Sequence, residues 1–230
     1  MASDPGGTRE SLTRANLKTP RAAAIAGILF SLLLITSLWL LRLSIPSDPL
    51  QISAWMEKDA ARVTFALNLV PFAGIAFMWF LGVLRDRLGA KEDKFFATVF
   101  LGSGLMFLGM LFVAASAIGS LVLSYTAAPN AQIDASSMIF ARKFAYDIMH
   151  IYAFKMAAVF MITTSTLAVY TRFTPRWIAM LGYASAAVIL IFSGYLDWLL
   201  FVFPCWVLVV SIYILSENLR KERQAVAEHV

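Results

Sequence analysis

Charge is scarce in this chain. Asp, Glu, Lys and Arg together supply 14% of its 230 residues, where an ordinary soluble domain carries about 25%. So few ionic groups cannot clothe a water-facing surface, and a soluble globular domain is excluded. Histidine and cysteine are scarcer still. The chain has two histidines, His150 and the C-terminal His229, so a bis-histidine haem site in the membrane lacks its second ligand. The single cysteine, Cys205, lies in an apolar stretch and excludes an intrachain disulfide. There is no H-E-x-x-H, no nucleotide-binding Gly-rich loop and no Cys-x-x-Cys. These absences leave no residue to name as catalytic, no metal ligand set and no cofactor.

What is abundant is apolar surface: 60% of the residues are hydrophobic and the mean hydropathy is +0.75. A membrane-spanning helix needs about 20 mostly apolar residues to cross roughly 30 Å of hydrocarbon. Ala22–Leu41, Val63–Leu84 and Phe95–Leu123 meet that need without a charge. A fourth run, from about Phe144 to Thr171, carries Asp147, His150 and Lys155 near its start. Trp177–Ser216 then holds one charge, Asp197, in 40 residues. At 1.5 Å per residue that is about 60 Å of helix, twice a bilayer. Such a run must fold back, and Ser193-Gly194-Tyr195-Leu196-Asp197 supplies the turn chemistry. The expectation is an all-α, polytopic transmembrane bundle of about six helices.

Lysine and arginine set the orientation. With the N terminus inside, thirteen basic residues fall on the cytoplasmic side and five (Arg42, Lys58, Arg62, Arg142 and Lys143) on the other. That bias follows the positive-inside rule and places both termini in the cytoplasm. It also accounts for the net charge of +5 without a nucleic-acid partner. Three parts follow: residues 1–20, Gly, Pro and charge rich and expected to be disordered; residues 21–217, the membrane bundle; and residues 218–230, a charged tail. The first apolar run is longer than a signal peptide's and reads as an uncleaved anchor. After Asp48-Pro49, a cap followed by proline, the stretch holding Leu50, Ile52, Trp55 and Met56 fits either an interfacial segment or an extension of the second helix. Ser124–Ser137 reads as a charge-poor outer loop.

Small residues mark expected packing faces. Gly102, Gly109 and Ser116 recur every seven residues on the third helix, and Gly182 and Ala186 share a face of the fifth. Small side chains let helices approach closely in a bilayer, where dispersion replaces the hydrophobic drive. Asn68, Pro71 and Pro204 are candidate kink positions. The hydroxyls of Thr163-Thr164-Ser165-Thr166 are expected to bond to their own helix.

The candidate site lies in the fourth helix. At 100° per residue, Lys143, Asp147 and His150 form one polar stripe, and ionisable groups at membrane depth usually face the interior or a wet cavity. An aspartate beside a histidine can relay protons; an ion pair at a wet helix end explains Lys143 and Asp147 equally well. Lys155, about one and a half turns deeper, either snorkels to the interface or meets a carboxylate. Arg42 and Asp197 belong to the same side, so a pocket of Arg42, Asp147, His150, Lys155 and Asp197 is expected if the helices converge.

Gly82-Val83-Leu84-Arg85-Asp86-Arg87-Leu88-Gly89-Ala90-Lys91 resembles the loop motif between helices two and three of major facilitator transporters, with Ala90 where that family has a basic residue. The resemblance implies that Asp86 and Arg87 latch a cytoplasmic gate. The same residues also read as a helix end at Gly89 with a basic, cytoplasmic loop. Together with Glu92–Gly104 the segment is similar to a stretch in multi-pass bacterial membrane proteins without assigned activity, which implies a bacterial cytoplasmic membrane. Three functions fit these features: small-solute or ion transport, an accessory or scaffold subunit bound to a homo-oligomer or partner membrane protein, and a membrane enzyme acting on lipid or quinone.

Overall fold

The computed structural model describes residues 6–44, 52–88, 94–127, 135–171 and 174–227, and side chains over most of them. The long apolar runs form α1 (Gly6–Ser44), α2 (Ile52–Leu88) and α3 (Lys94–Ala127). Next comes a single rod made of α4 (Ala135–Asp147), a π-helical turn (Ile148–Ala153) and α5 (Phe154–Thr171). Then α6 (Arg176–Phe192) leads through a 3-10 turn (Asp197–Phe201) into α7 (Val202–Ala227). These are six rods, and five of them are long and apolar enough to cross a membrane. The sixth, α6, has 17 residues, about 25 Å of helix.

The 40-residue apolar run does fold back where its turn residues stand. A turn at 193–195 separates α6 from α7. Pro204 falls in the first turn of α7, directly after the 3-10 turn. Pro71 lies inside α2, and Asn68 faces outward from it. Because α2 begins at Ile52, the stretch holding Trp55 is an extension of the second helix. Asp48-Pro49 lies outside the described residues, as does Gly89. Two boundaries correct the sequence reading. Helix α1 starts at Gly6, well ahead of the apolar run that begins at Ala22. Helix α4 starts at Ala135, well ahead of Phe144, and α3 runs on to Ala127, so the loop expected over 124–137 is shorter at both ends.

The rods run up and down. Phe30 meets Phe77 while Ser37 Oγ donates to the Ala66 carbonyl, so α1 and α2 are antiparallel. Arg42 lies beside Asp197 while Gly27 packs against Ser211, so α1 and α7 are antiparallel as well. The beginning of α1 and the end of α7 therefore share one end of the bundle.

Aromatic rings fill the middle. Phe30, Phe77, Phe80, Phe100, Phe107, Phe154, Phe160 and Phe203 are fully buried. Phe77 stacks or packs edge-on against five of them, with centroids 4.6 Å from Phe30 and 5.6 Å from Phe107. Each such pair contributes about 0.5–1.5 kcal/mol beyond area burial. That directional term counts in a bilayer, where lipid is as apolar as the protein interior. Outside this core Phe72, Trp79, Phe140, Met180 and Ile191 are exposed, the surface a lipid-facing bundle presents.

Glycine works at particular crossings. A Cβ at Gly182 would run into Ser165 Oγ and the Trp206 indole, and one at Gly27 into Ser211 and Phe80. Ala186 is fully buried on the same face as Gly182. Gly102, Gly109 and Ser116 are all exposed in the single chain, and nothing lies within 4 Å of a Cβ built on either glycine. The inward face of α3 is instead Ser103, Gly104, Phe107, Leu108, Leu111 and Ala114. Two large rings, Phe100 and Phe107, turn that face to the core and the seven-residue glycine row away from it.

Candidate functional site

Below the end of the bundle that carries Arg42, the rods separate around a cavity of about 440 Å³. It lies among the second half of α1, the first half of α2, the second half of α3, α4 with its π turn, and the 3-10 turn. Small residues leave the space open. Ala114, Ala115 and Ala145 stand where larger side chains would fill it. Leu34, Leu38, Val70, Leu111, Ile118 and Phe201 form apolar walls. The polar groups gather at one end: Arg42, Arg142, Tyr146, His150 and Asp197. From Leu34 to Arg42 is eight positions along α1, about 12 Å of depth. Beyond Leu34 the phenylalanine cluster closes the bundle.

Asp197, first residue of the 3-10 turn, is the hub of the polar end. Its Oδ1 accepts from the Tyr146 hydroxyl at 3.3 Å and lies 3.5 Å from His150 Nε2. Its Oδ2 lies 3.8 Å from an Arg42 guanidinium nitrogen. All three contacts are long compared with the 2.5–2.9 Å of strong charge-assisted bonds. The Asp197 side chain is 54% exposed, and a pair this open contributes at most about 1 kcal/mol. Arg42 also lies over the Trp198 ring, 4.2 Å from its centroid, and Trp39 packs on Trp198. Amphipathic rings of this kind favour the membrane interface.

His150 reaches the cavity because the helix widens. In the π turn the Phe154 amide donates to Met149, five residues back. Such insertions often occur at functional sites. His150 Nδ1 lies 3.1 Å from the Tyr146 carbonyl, and its ring stacks on Tyr146 at 3.8 Å between centroids. A carbonyl can only accept, so Nδ1 carries a proton, and Nε2 holds a lone pair when the ring is neutral and a second proton when it is charged. That Nε2 is buried and makes no hydrogen bond, and the His150 side chain is 7% exposed. A buried polar atom without a partner is costly. Here it faces the Asp197 carboxylate at 3.5 Å, which can accept from it when the ring is protonated.

Of the five residues expected to converge, Arg42, His150 and Asp197 do. Asp147 does not: it pairs with Lys143 at 2.8 Å on the exposed side of α4, the helix-end ion pair that was the alternative. Lys155 does not line the cavity, is half-buried on α5, and has no ion-pair partner among the described residues. The π turn is the physical cause, since the constant 100° step that aligned Asp147 with His150 fails within it. Asp86 and Arg87 lie in the last turn of α2, and their side chains fall outside the described residues. Thr163 and Thr166 bond to their own helix, as expected, but Thr164 and Ser165 hydroxyls are buried without partners.

Sequence reasoning missed Tyr146, Arg142 and Trp198. Tyr146 stands one turn before His150 and Trp198 beside Asp197, so these two had a signal in a neighbour, while Arg142 was read only as one of the five minority basic residues. Among the described residues no three His, Cys, Asp or Glu side chains gather as a metal site. The arrangement is equipped for holding a polar group over an apolar slot. No protein family, curated protein or solved structure matches the chain, so its geometry is the ground for a functional reading.

Proposed function

We propose that this chain is a membrane-embedded binding protein for a small amphiphile. The polar end of the ligand sits at Arg42, His150 and Asp197, and its apolar body lies along Leu34, Leu38, Val70 and Leu111. One observation carries the reading: the cavity wall is apolar along its depth except for Ser37, whose hydroxyl is spent on the Ala66 carbonyl, and its ionisable groups meet at Asp197. Its volume falls within the range of about 300–1,000 Å³ common for small-molecule sites. A purely scaffolding bundle has no use for three ionisable groups around an open space. Permeation fits less well, because the fully buried phenylalanine cluster stands across the path and Lys155 lies off it. The distribution of basic residues supports an ionic end on the outer face of a bacterial cytoplasmic membrane.

The test is a filled cavity. Ala114→Phe places a ring into the space without touching the polar end. Protein purified into lipid nanodiscs and extracted for mass spectrometry is expected to release a bound single-chain amphiphile from wild type and none from the variant, with both melting alike. Equal release from the two, or none from either, refutes the reading.

A further inference from the structure

We infer that the head of the amphiphile is an uncharged hydroxyl, held by His150 Nε2 together with Asp197. The inference rests on the binding reading above and adds the chemical class of the head group. Its ground is His150 Nε2, a buried atom of the cavity wall that makes no hydrogen bond. The side chain is 7% exposed, so bulk water does not satisfy it. Nor can the ring turn away freely. Its Nδ1 is tied to the Tyr146 carbonyl at 3.1 Å and its face is stacked on the Tyr146 ring. The atom that remains open is the one beside Asp197, at the polar end of the slot.

The charges around that atom favour neither sign of ligand. Arg42 and Asp197 face each other at 3.8 Å, Arg42 lies over Trp198, and Arg142 on the same wall has an interaction of its own. An ionic head would be attracted by one member of the Arg42–Asp197 pair and repelled by the other. Hydrogen-bonding capacity then sets the class. His150 Nε2 accepts when the ring is neutral and donates when it is charged. A hydroxyl serves both states, because it donates and accepts. Nε2 and Asp197 Oδ1 lie 3.5 Å apart, so a hydroxyl oxygen about 2.8 Å from each completes a triangle with them. With a charged ring it accepts from Nε2 and donates to Asp197; with a neutral ring it donates to Nε2. An ether oxygen only accepts and loses the second mode. From this point the apolar wall runs about 12 Å to Leu34, a depth that takes one chain of medium length.

A competition series tests the head group directly. Photoreactive decanol, carrying a diazirine on its chain, is applied to the full-length protein in phosphatidylcholine nanodiscs, and labelled positions are mapped by mass spectrometry. It is expected to label the cavity walls of α1 and α3. Unlabelled competitors are compared at equal mole fraction of lipid: decanol, decyl methyl ether, decanesulfonate, decyltrimethylammonium and a decyl sulfobetaine. Decanol should displace the probe about tenfold more effectively than each of the others. His150→Phe keeps a ring on Tyr146 and removes Nε2, so it should erase the margin of alcohol over ether. It should also melt no lower than wild type, because a buried polar atom without a partner is gone. If the variant does not fold, the wild-type series decides alone. An ether, ionic or zwitterionic competitor equal to decanol overturns the hydroxyl inference and leaves amphiphile binding standing. An alcohol margin retained in folded His150→Phe does the same. Absence of wall labelling also overturns the hydroxyl inference, and the Ala114→Phe comparison then decides the binding reading separately.

Discussion

Asp197 and Asp147 are chemically identical and lie at the same end of the bundle, yet their neighbours give them different tasks. Asp147 has Lys143 one turn before it at 2.8 Å, an exposed pair of the kind that contributes about 0.3–0.5 kcal/mol in a helix. Asp197 has Tyr146, His150 and Arg42, drawn from three separate elements. Coupling measured by double-mutant cycles should follow those contacts. His150→Gln with Asp197→Asn is expected to depart from additivity by about 0.5–3 kcal/mol in thermal stability. Lys155→Met with Asp147→Asn should add to within about 0.5 kcal/mol, because the two side chains share no contact. Non-additivity in the second cycle would place Lys155 inside the polar cluster and change the charge of the cavity lining. The ionisable residues were visible in the sequence one by one. Their partners were not, because partnership depends on the π turn that carries His150 away from the Asp147 stripe.

At the scale of helices, the same limit recurs in which face turns inward. Rod lengths and the fold-back after α6 follow from bilayer thickness and turn chemistry, and both were legible. The facing of each rod was less so. Lipid and protein interior are equally apolar, so hydropathy cannot separate the Gly102–Gly109 row from the Phe100–Phe107 side of α3. Shape decides instead: flat rings interlock at the centre, and glycine is placed inward only where two backbones cross. Substitutions should divide on this basis. Gly182→Leu forces a side chain into Ser165 and Trp206 and should destabilise by about 1–3 kcal/mol. Gly109→Leu meets open space and should shift the stability of a single chain by no more than about 0.5 kcal/mol. Thermal melts in detergent distinguish the two. A loss of oligomer size in Gly109→Leu alone would assign the outward glycine row to a second copy.

For the whole molecule, the central phenylalanine cluster forms the floor of the cavity. Its most connected ring is Phe77, in contact with Phe30, Phe80, Phe107, Phe160 and Phe203. Phe77→Ala should therefore cost about 3–5 kcal/mol, the range for buried aromatic truncations. It should also join the void it leaves to the cavity above. A loss below about 1 kcal/mol would show that the rings are not a packed plug. The antiparallel pairing of α1 with α7 brings the beginning of α1 and the end of α7 to one side, and reporter fusions after Lys94, Arg176 and Arg223 should agree with one another. The claim that matters most is that the cavity is blind, since a binding protein and a permeation path part company there. Substituted cysteines in a Cys205→Ser background test it, using a small charged methanethiosulfonate added to one face of sealed vesicles at a time. The account predicts that Ala114→Cys, in the cavity wall, reacts from the Arg42 side only. It predicts that Ala157→Cys, fully buried in the aromatic core, reacts from neither side. Modification of Ala157→Cys, or of Ala114→Cys from both faces, would reveal a water path through the bundle and contradict the account.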